Sequence, residues 1–352
     1  VFTTGVGREG SSGQHIVSTI SKDQGKTWSD TVQIEAPKKE SASWAMPYIT
    51  DYNRVYVFYD YNGDKIHSLH NREDIREDML GWYCFKYTDD QGKTWSKRYR
   101  LPVRNVQVDW ENDWGGEVQI QWGIGKPVDV DKGMMLAFTK IGDYLLDDSE
   151  GWFMRCDNIH TEKDPLKLDW RMLPEGEYGL RNPEYGPIQS EQNIFQMDNG
   201  DIYCMYRTIM GNPVQSYSRD GGKSWEMPEI PNYYTGYQIK NPRACPRIWK
   251  CKNGKYLFWF HNHGGWDFQG RNPAWIAGGI EKNGKIVWSQ PEILFYEDDT
   301  LRRMSYPDLI EQDGNYWITE TNKESAMCHQ VDPNFLGNLW NQFYIQDVSQ
   351  KG

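Results

Sequence analysis

Arginine, tyrosine, glutamate and histidine stand at the ends of apolar runs in this chain, a set of residue types able to hold an anion and break a bond beside it. Arg207 follows Tyr206, Arg271 lies in Gly270-Arg-Asn-Pro273, Arg243 ends Asn241-Pro-Arg243, and Arg302 and Arg303 are adjacent. A guanidinium fork binds a carboxylate through two parallel hydrogen bonds. Tyr306 sits in Ser305-Tyr-Pro-Asp308, and Glu191 opens the run EQNIFQMDNG. A phenol with a pKa near 10 is only about 0.1% ionised at pH 7. It becomes a nucleophile only beside a base, which a glutamate can supply. A neutral phenol also avoids the repulsion that a carboxylate nucleophile meets from an anionic ring. His261 and His263 are spaced i, i+2, which on a strand puts both on one side and makes a metal pair conceivable. No third ligand is evident in the sequence, so neither a metal nor another cofactor is expected.

Short local repeats must position these residues. SKDQGKTW (21–28), TDDQGKTW (88–95) and SRDGGKSW (218–225) share one pattern, and weaker copies end in Trp170 and Trp288. The five tryptophans are 67, 75, 55 and 63 residues apart, the length of one four-stranded sheet per interval. An Asp with Gly two residues on suits a tight hairpin whose carboxylate accepts backbone N–H groups while Gly takes positive φ. The aspartates Asp23, Asp90 and Asp220 are therefore expected to be structural and to lie on an outer rim.

Between the boxes a second unit recurs: an apolar run, a polar turn, then an aromatic-rich run. It appears as YITDYNRVYVFYDY (48–61), IFQMDNGDIYCMYRT (194–208), RIWKCKNGKYLFWFHN (247–262) and LIEQDGNYWITETNK (309–323). VQIQWGIGKPVDVDKGMMLAFTK (118–140) is a longer-looped version. Each reads as a β-hairpin. Five such hairpins, with Val1–Trp28 and the C-terminal end sharing a sixth sheet, predict one all-β domain over residues 1–352. The expected architecture is a six-bladed β-propeller closed by both termini.

The boxes and hairpins resemble those of the Asp-box (BNR-repeat) sialidase-like propellers, and in particular the uncharacterised bacterial proteins of that family. The resemblance spans nearly the whole chain. It implies Tyr306 as nucleophile, Glu191 as its base, and Arg207 and Arg271 as clamps on a substrate carboxylate. Glu320, in Ile318-Thr-Glu-Thr321, falls where the family keeps a carboxylate that steadies an arginine. Arg8 matches an arginine on the O4 side of the sugar. The set is expected to converge at one end of a central channel. Tyrosine nucleophiles are a recognised exception to the two-carboxylate rule for glycosidases.

The departures are specific. No Phe-Arg-Ile-Pro segment, which carries another clamp arginine in the family, is present. Where the acid/base aspartate should follow, the sequence reads Glu9-Gly-Ser-Ser-Gly-Gln-His15, leaving His15 to move a proton; imidazoles as a class suit that task at neutral pH. A further family aspartate is replaced by Trp44-Ala-Met-Pro47. Arg243, His261 and His263 join the substrate-binding candidates.

The formal charge of −11 argues against a nucleic-acid partner. It does not argue against a small anionic ligand, because charges beyond about 8 Å are largely screened. No apolar run reaches the roughly 18 residues of a membrane span. With a leader presumed removed, a secreted or periplasmic site is expected. The six cysteines form no CxxC pair and read as buried thiols. The expected activity is exo-acting glycoside hydrolysis of a terminal anionic sugar, a uronic or sulfated residue rather than sialic acid, with a glycan or acidic polysaccharide as partner. Two rivals stay open: a polysaccharide lyase using histidine and tyrosine, and a non-catalytic carbohydrate-binding propeller.

Overall fold

A computed structural model describes residues 1–7, 9–69, 75–142, 149–185, 191–265, 269–322 and 324–349. The chain divides into two compact units, each holding three antiparallel sheets among its described residues. Among them no helix is long and apolar enough to cross a membrane.

The first unit comprises Val1–Arg181, Ser190–Gln192 and Gly222–Ser224. Its sheets are β1 (Phe2–Thr4), β2 (His15–Ser18) and β3 (Val32–Gln33); then β4 (Ala42–Ile49), β5 (Val55–Tyr61), β6 (Trp82–Thr88) and β7 (Tyr99–Arg100); then β8 (Gln121–Trp122), β9 (Val128–Val130), β10 (Gly133–Ile141), β11 (Ser149–Cys156) and β12 (Trp170–Leu173). The short strands β8 and β9 both pair with β10, so the longer-looped hairpin is an inner strand interrupted by an excursion.

The middle strands show why the sequence runs are so apolar. Successive strand residues face opposite sides. Along β5, Tyr56 and Phe58 join a cluster with Phe85 of the same sheet and with Leu136 and Trp152 of the third. Val57, Tyr59 and Tyr61 point the other way, into a cluster with Ile16 and Ile34 of the first. A strand sandwiched on both faces needs no polar alternation, and each large apolar side chain buried this way stabilises the unit by about 1.5–3 kcal/mol.

The second unit comprises Asn182–Gln189, Asn193–Gly221 and Trp225–Gly352. Its sheets are β13 (Asn193–Gln196), β14 (Ile202–Tyr206) and β15 (Val214–Ser218); β16 (Arg247–Lys250), β17 (Tyr256–Phe260), β18 (Ala274–Lys282), β19 (Lys285–Trp288) and β20 (Glu292–Phe295); and β21 (Ser305–Gln312), β22 (Asn315–Thr321) and β23 (Ala326–Val331). The same two-faced logic holds in β17. Tyr256, Phe258 and Phe260 pack with Phe195 and Tyr203, while Leu257 and Trp259 pack with Leu309 and Ile318.

The C-terminal end, expected to join the sheet of Val1–Trp28, forms a helix at Pro333–Ser349 instead. Among the described residues that first sheet consists of β1, β2 and β3. The local cause is a start signal: Asp332 caps the helix by accepting from the N–H of Asn334 at 2.9 Å, and Pro333 occupies the first turn, where its missing N–H costs nothing. Leu336, Leu339 and Trp340 dock on the fifth sheet at Gly278, where an added Cβ would lie 2.8 Å from the Trp340 ring. All six cysteines are free thiols, and five are buried.

Each Asp-box consumes its own aspartate. Asp90 Oδ1 accepts from the Thr88 hydroxyl at 2.7 Å and the Thr94 N–H at 2.9 Å, and Oδ2 accepts from the Thr94 hydroxyl at 2.6 Å. Asp23 repeats the set with Ser21 and Thr27, and Asp220 accepts from Ser218 at 2.9 Å. Two consecutive left-handed residues close the turn, Gln91 and Gly92 in the second box and Gly221 and Gly222 in the third. These donors, chiefly the threonine hydroxyl and N–H, hold the carboxyls of Asp23 and Asp90 down at about 2. Their folded-state pKa lies below the unfolded value near 4, so their contribution is complete above pH 4 and is lost as pH falls toward 2. Thermal melts at pH 5 and pH 2.5 should show a smaller acid-induced drop in Tm for Asp90→Asn than for the parent. An identical drop would contradict this account of the box.

Candidate active site

Tyr306 is set by a β-bulge. Along the β21–β22 ladder Ser305 faces Thr321 and Asp308 faces Thr319, so three steps on one strand oppose two on the other. The extra residue puts Tyr306 at φ 52, a left-handed conformation that a bulky side chain rarely adopts and that re-aims its ring. Two arginines hold its neighbours, one through a side chain and the other through the backbone. Arg271 donates from Nη1 to the Ser305 hydroxyl at 3.0 Å, and from Nη2 to the Arg243 carbonyl at 3.0 Å. Arg247 donates from Nε to the Pro307 carbonyl at 3.1 Å and from Nη1 to Asn193 Oδ1 at 2.7 Å. The Arg271 guanidinium carbon lies 5.8 Å from the centre of the half-buried Tyr306 ring.

Arg207, Arg247 and Arg271 are 4%, 8% and 4% exposed, so three guanidiniums are buried in this unit. Among the described residues the hydrogen-bond partners of Arg247 are both neutral, which leaves its positive charge uncompensated by them. Arg247 did not stand out in the sequence. The available signal was a charged residue opening the strand RIWK, directly before the apolar pair Ile248-Trp249.

The other candidates fall in different surroundings. Glu320, buried on β22, has Oε1 3.4 Å from Nε2 of His329, while its Oε2 has no hydrogen-bond partner among the described residues. His261 is buried, its Nδ1 3.2 Å from the Pro273 carbonyl. Burial first, then the nearby Arg271 charge, pulls its pKa down to about 3, so it is neutral. His263 accepts from the Gly265 N–H at Nδ1 (3.1 Å) and donates from Nε2 to the Gly270 carbonyl at 2.7 Å, closing its own loop. β17 ends at Phe260, and Asn262 between the histidines is left-handed at φ 44, so the strand rule that would align them does not apply. Arg243 is half-buried and meets Arg271 through its backbone carbonyl.

Glu191 and His15 belong to the first unit. Glu191 is 3% exposed and left-handed at φ 62, two residues before β13 opens. His15 begins β2 opposite Thr4, and its Nδ1 has no hydrogen-bond partner among the described residues. Arg8 lies outside the described residues.

The BNR/Asp-box repeat profile matches residues 86–97 and 216–227, which contain the second and third boxes. Solved structures similar to this chain include a protein of unknown function from Dyadobacter fermentans (14% identity over 87% of this chain and 79% of that one, TM-score 0.59). Another is the intramolecular trans-sialidase from Ruminococcus gnavus, in complex with oseltamivir carboxylate (14% identity, 92% and 89%, TM-score 0.60). A third is the Trypanosoma rangeli sialidase in complex with 2,3-difluorosialic acid as a covalent intermediate (13% identity, TM-score 0.62); the chain covers only 52% of its length. At such identities the likeness is one of fold. The chain thus carries BNR/Asp-box repeats at these two segments on an all-β fold similar to that of the sialidase structures.

Proposed function

We propose that this protein is an exo-acting, retaining glycoside hydrolase that removes a terminal anionic sugar from a glycan or polysaccharide. The observation that carries the reading is the strained Tyr306 bulge, held on one side by Arg271 and on the other by Arg247. A bulky left-handed residue persists only where its surroundings over-determine it, and such residues collect at reactive sites.

In this mechanism the Tyr306 hydroxyl attacks the anomeric carbon and its proton passes to a carboxylate base, the role that the sequence resemblance implies for Glu191. The glycosidic C–O bond breaks, and the leaving oxygen takes a proton from a general acid, the role that the sequence leaves to His15. Water then attacks the tyrosyl-linked carbon, the deprotonated acid takes that water's proton, and the proton on the carboxylate returns to the phenolate. The buried guanidiniums of Arg207, Arg247 and Arg271 favour a ligand carrying negative charge. The reading extends the sialidase likeness to the chemistry but not to the sugar, because Glu9-Gly-Ser-Ser-Gly-Gln-His15 and Trp44 stand where the family places aspartates. A uronic or sulfated sugar fits better. The lyase reading has less support, since His263 has both ring nitrogens engaged and His261 is buried and hydrogen-bonded to Pro273.

Three outcomes are expected. Tyr306→Phe should cut turnover by about 10³-fold or more, and Glu191→Gln by about 10²–10⁴-fold; wild-type turnover in either variant would remove that residue from the mechanism. Across a panel of aryl glycosides, hydrolysis of an aryl uronide or sulfated sugar should exceed that of an aryl sialoside. Robust sialoside turnover lost in Tyr306→Phe would contradict that choice, and a product absorbing near 235 nm would favour the lyase. Arg247→Ala should lower kcat by about tenfold or more while KM changes less, because the residue positions the Tyr306 backbone. A larger change in KM than in kcat would make Arg247 a binding residue instead.

A further inference from the structure

The three Asp-boxes are one device, yet the first departs from the other two at two positions. Trp95 of the second box is half-buried and packs against the cluster of Val57, Tyr59 and Cys84, and Trp225 of the third is half-buried as well. Trp28 of the first is 53% exposed. The second position of the box differs in the same sense. Asp89 meets Arg54 at 2.7 Å and Arg219 meets Glu226 at 2.8 Å, whereas the exposed Lys22 forms no ion pair among the described residues. Two boxes engage these side chains in the fold, and the first leaves both at the surface.

Both side chains line one open cleft of about 540 Å³ in the first unit, between the first box and Gly92 and Lys93 of the second. Small-ligand sites span roughly 300–1,000 Å³. Ile20 and Gly92 meet inside it, where a Cβ on Gly92 would lie 3.7 Å from Ile20 Cδ1. The indole is fixed at the cleft's wall. Its N–H donates to the Gly25 carbonyl at 3.1 Å, and the turn that holds it is closed by Asp23, which accepts from the Thr27 N–H at 2.8 Å. The polar edge of Trp28 is thus bonded within its own box while over half of its surface faces solvent. The charged groups of the lining are Lys22, Lys93 and Asp30, all exposed. Lys93 likewise forms no ion pair among the described residues, and the Asp23 and Asp90 carboxylates accept hydrogen bonds inside their own turns. Two ammonium groups against one carboxylate leave the lining positive in a chain whose formal charge is −11.

We propose that this cleft is a second glycan-binding site, which holds an acidic polysaccharide chain on Trp28 and takes no part in bond cleavage. The flat indole matches the C–H face of a pyranose, and the ammonium groups of Lys22 and Lys93 match its carboxylate or sulfate groups. None of the residues assigned to the reaction lines the cleft. That the ligand is a carbohydrate rests on the glycosidase reading; the cleft, its exposed indole and its lysines do not.

Affinity electrophoresis of the Tyr306→Phe protein tests this, in gels containing polygalacturonate, alginate or carrageenan and, separately, the neutral polymers xyloglucan and glucomannan. At least one acidic polymer should retard the protein more than either neutral one. Trp28→Ala in that background should weaken the retardation by about tenfold, while circular dichroism and Tm stay those of the parent. Trp28→Phe should retain most of it. Lys22→Gln combined with Lys93→Gln should remove the preference for the acidic polymer and its sensitivity to salt. With Tyr306 in place, Trp28→Ala should leave hydrolysis of a small aryl glycoside unchanged. Retardation by no polymer, equal retardation in Trp28→Ala, a preference for neutral polymers, or a loss of aryl glycoside hydrolysis in Trp28→Ala would each overturn the proposal. Trp28-dependent retardation by a protein that turns over no glycan would sink the glycosidase reading and leave this site standing.

Discussion

The reading of the second unit depends on one mechanical fact: two buried arginines hold the residues on either side of Tyr306, Arg271 through the Ser305 hydroxyl and Arg247 through the Pro307 carbonyl. A non-glycine residue in the left-handed region costs about 1–3 kcal/mol. A hydrogen bond from a charged donor contributes about 1.5–3 kcal/mol. The bonds from Arg271 to Ser305 and from Arg247 to Pro307 are therefore of the size needed to hold the bulge. Those guanidiniums must in turn stay buried, and their charge makes the neighbourhood attractive to an anion. Posture and electrostatics come from the same side chains.

The sheets supply the rigidity that such a grip requires. Strands such as β5 and β17 are buried on both faces, so a shift of one residue would send every large side chain into the wrong layer. Register is thereby fixed, and a bulge at a strand's start stays where it is placed. Asp-box turns, each closed by its own carboxylate and hydroxyls, are self-contained devices. The bulge at Tyr306 has a counterpart on β4, where Ser43 faces Asp60 and Met46 faces Phe58 with Trp44 left-handed at φ 63.

What was legible in the sequence was local. The boxes, the hairpins and the buried thiols follow from turn chemistry and apolar runs that a few neighbouring residues determine. The bulges at Trp44 and Tyr306 were not legible, because an extra residue in a ladder is defined by the partner strand. Arg247 was hidden for the same reason, its partners Asn193 and Pro307 lying 54 and 60 residues away. The C-terminal helix could have been read from Asp332-Pro333, a local signal outweighed by the expectation that both termini close one sheet. His263 stood out as a ligand type, yet both its nitrogens serve a loop whose closure depends on Gly270.

The most direct test of the claim that Tyr306 is the nucleophile is covalent trapping. The protein would be incubated with an activated fluorosugar of whichever class it hydrolyses, and the digested chain analysed by mass spectrometry. The account predicts one sugar per chain on the peptide containing Tyr306, absent from Tyr306→Phe. A stable adduct on another residue, or hydrolysis that proceeds unchanged in Tyr306→Phe, would contradict it.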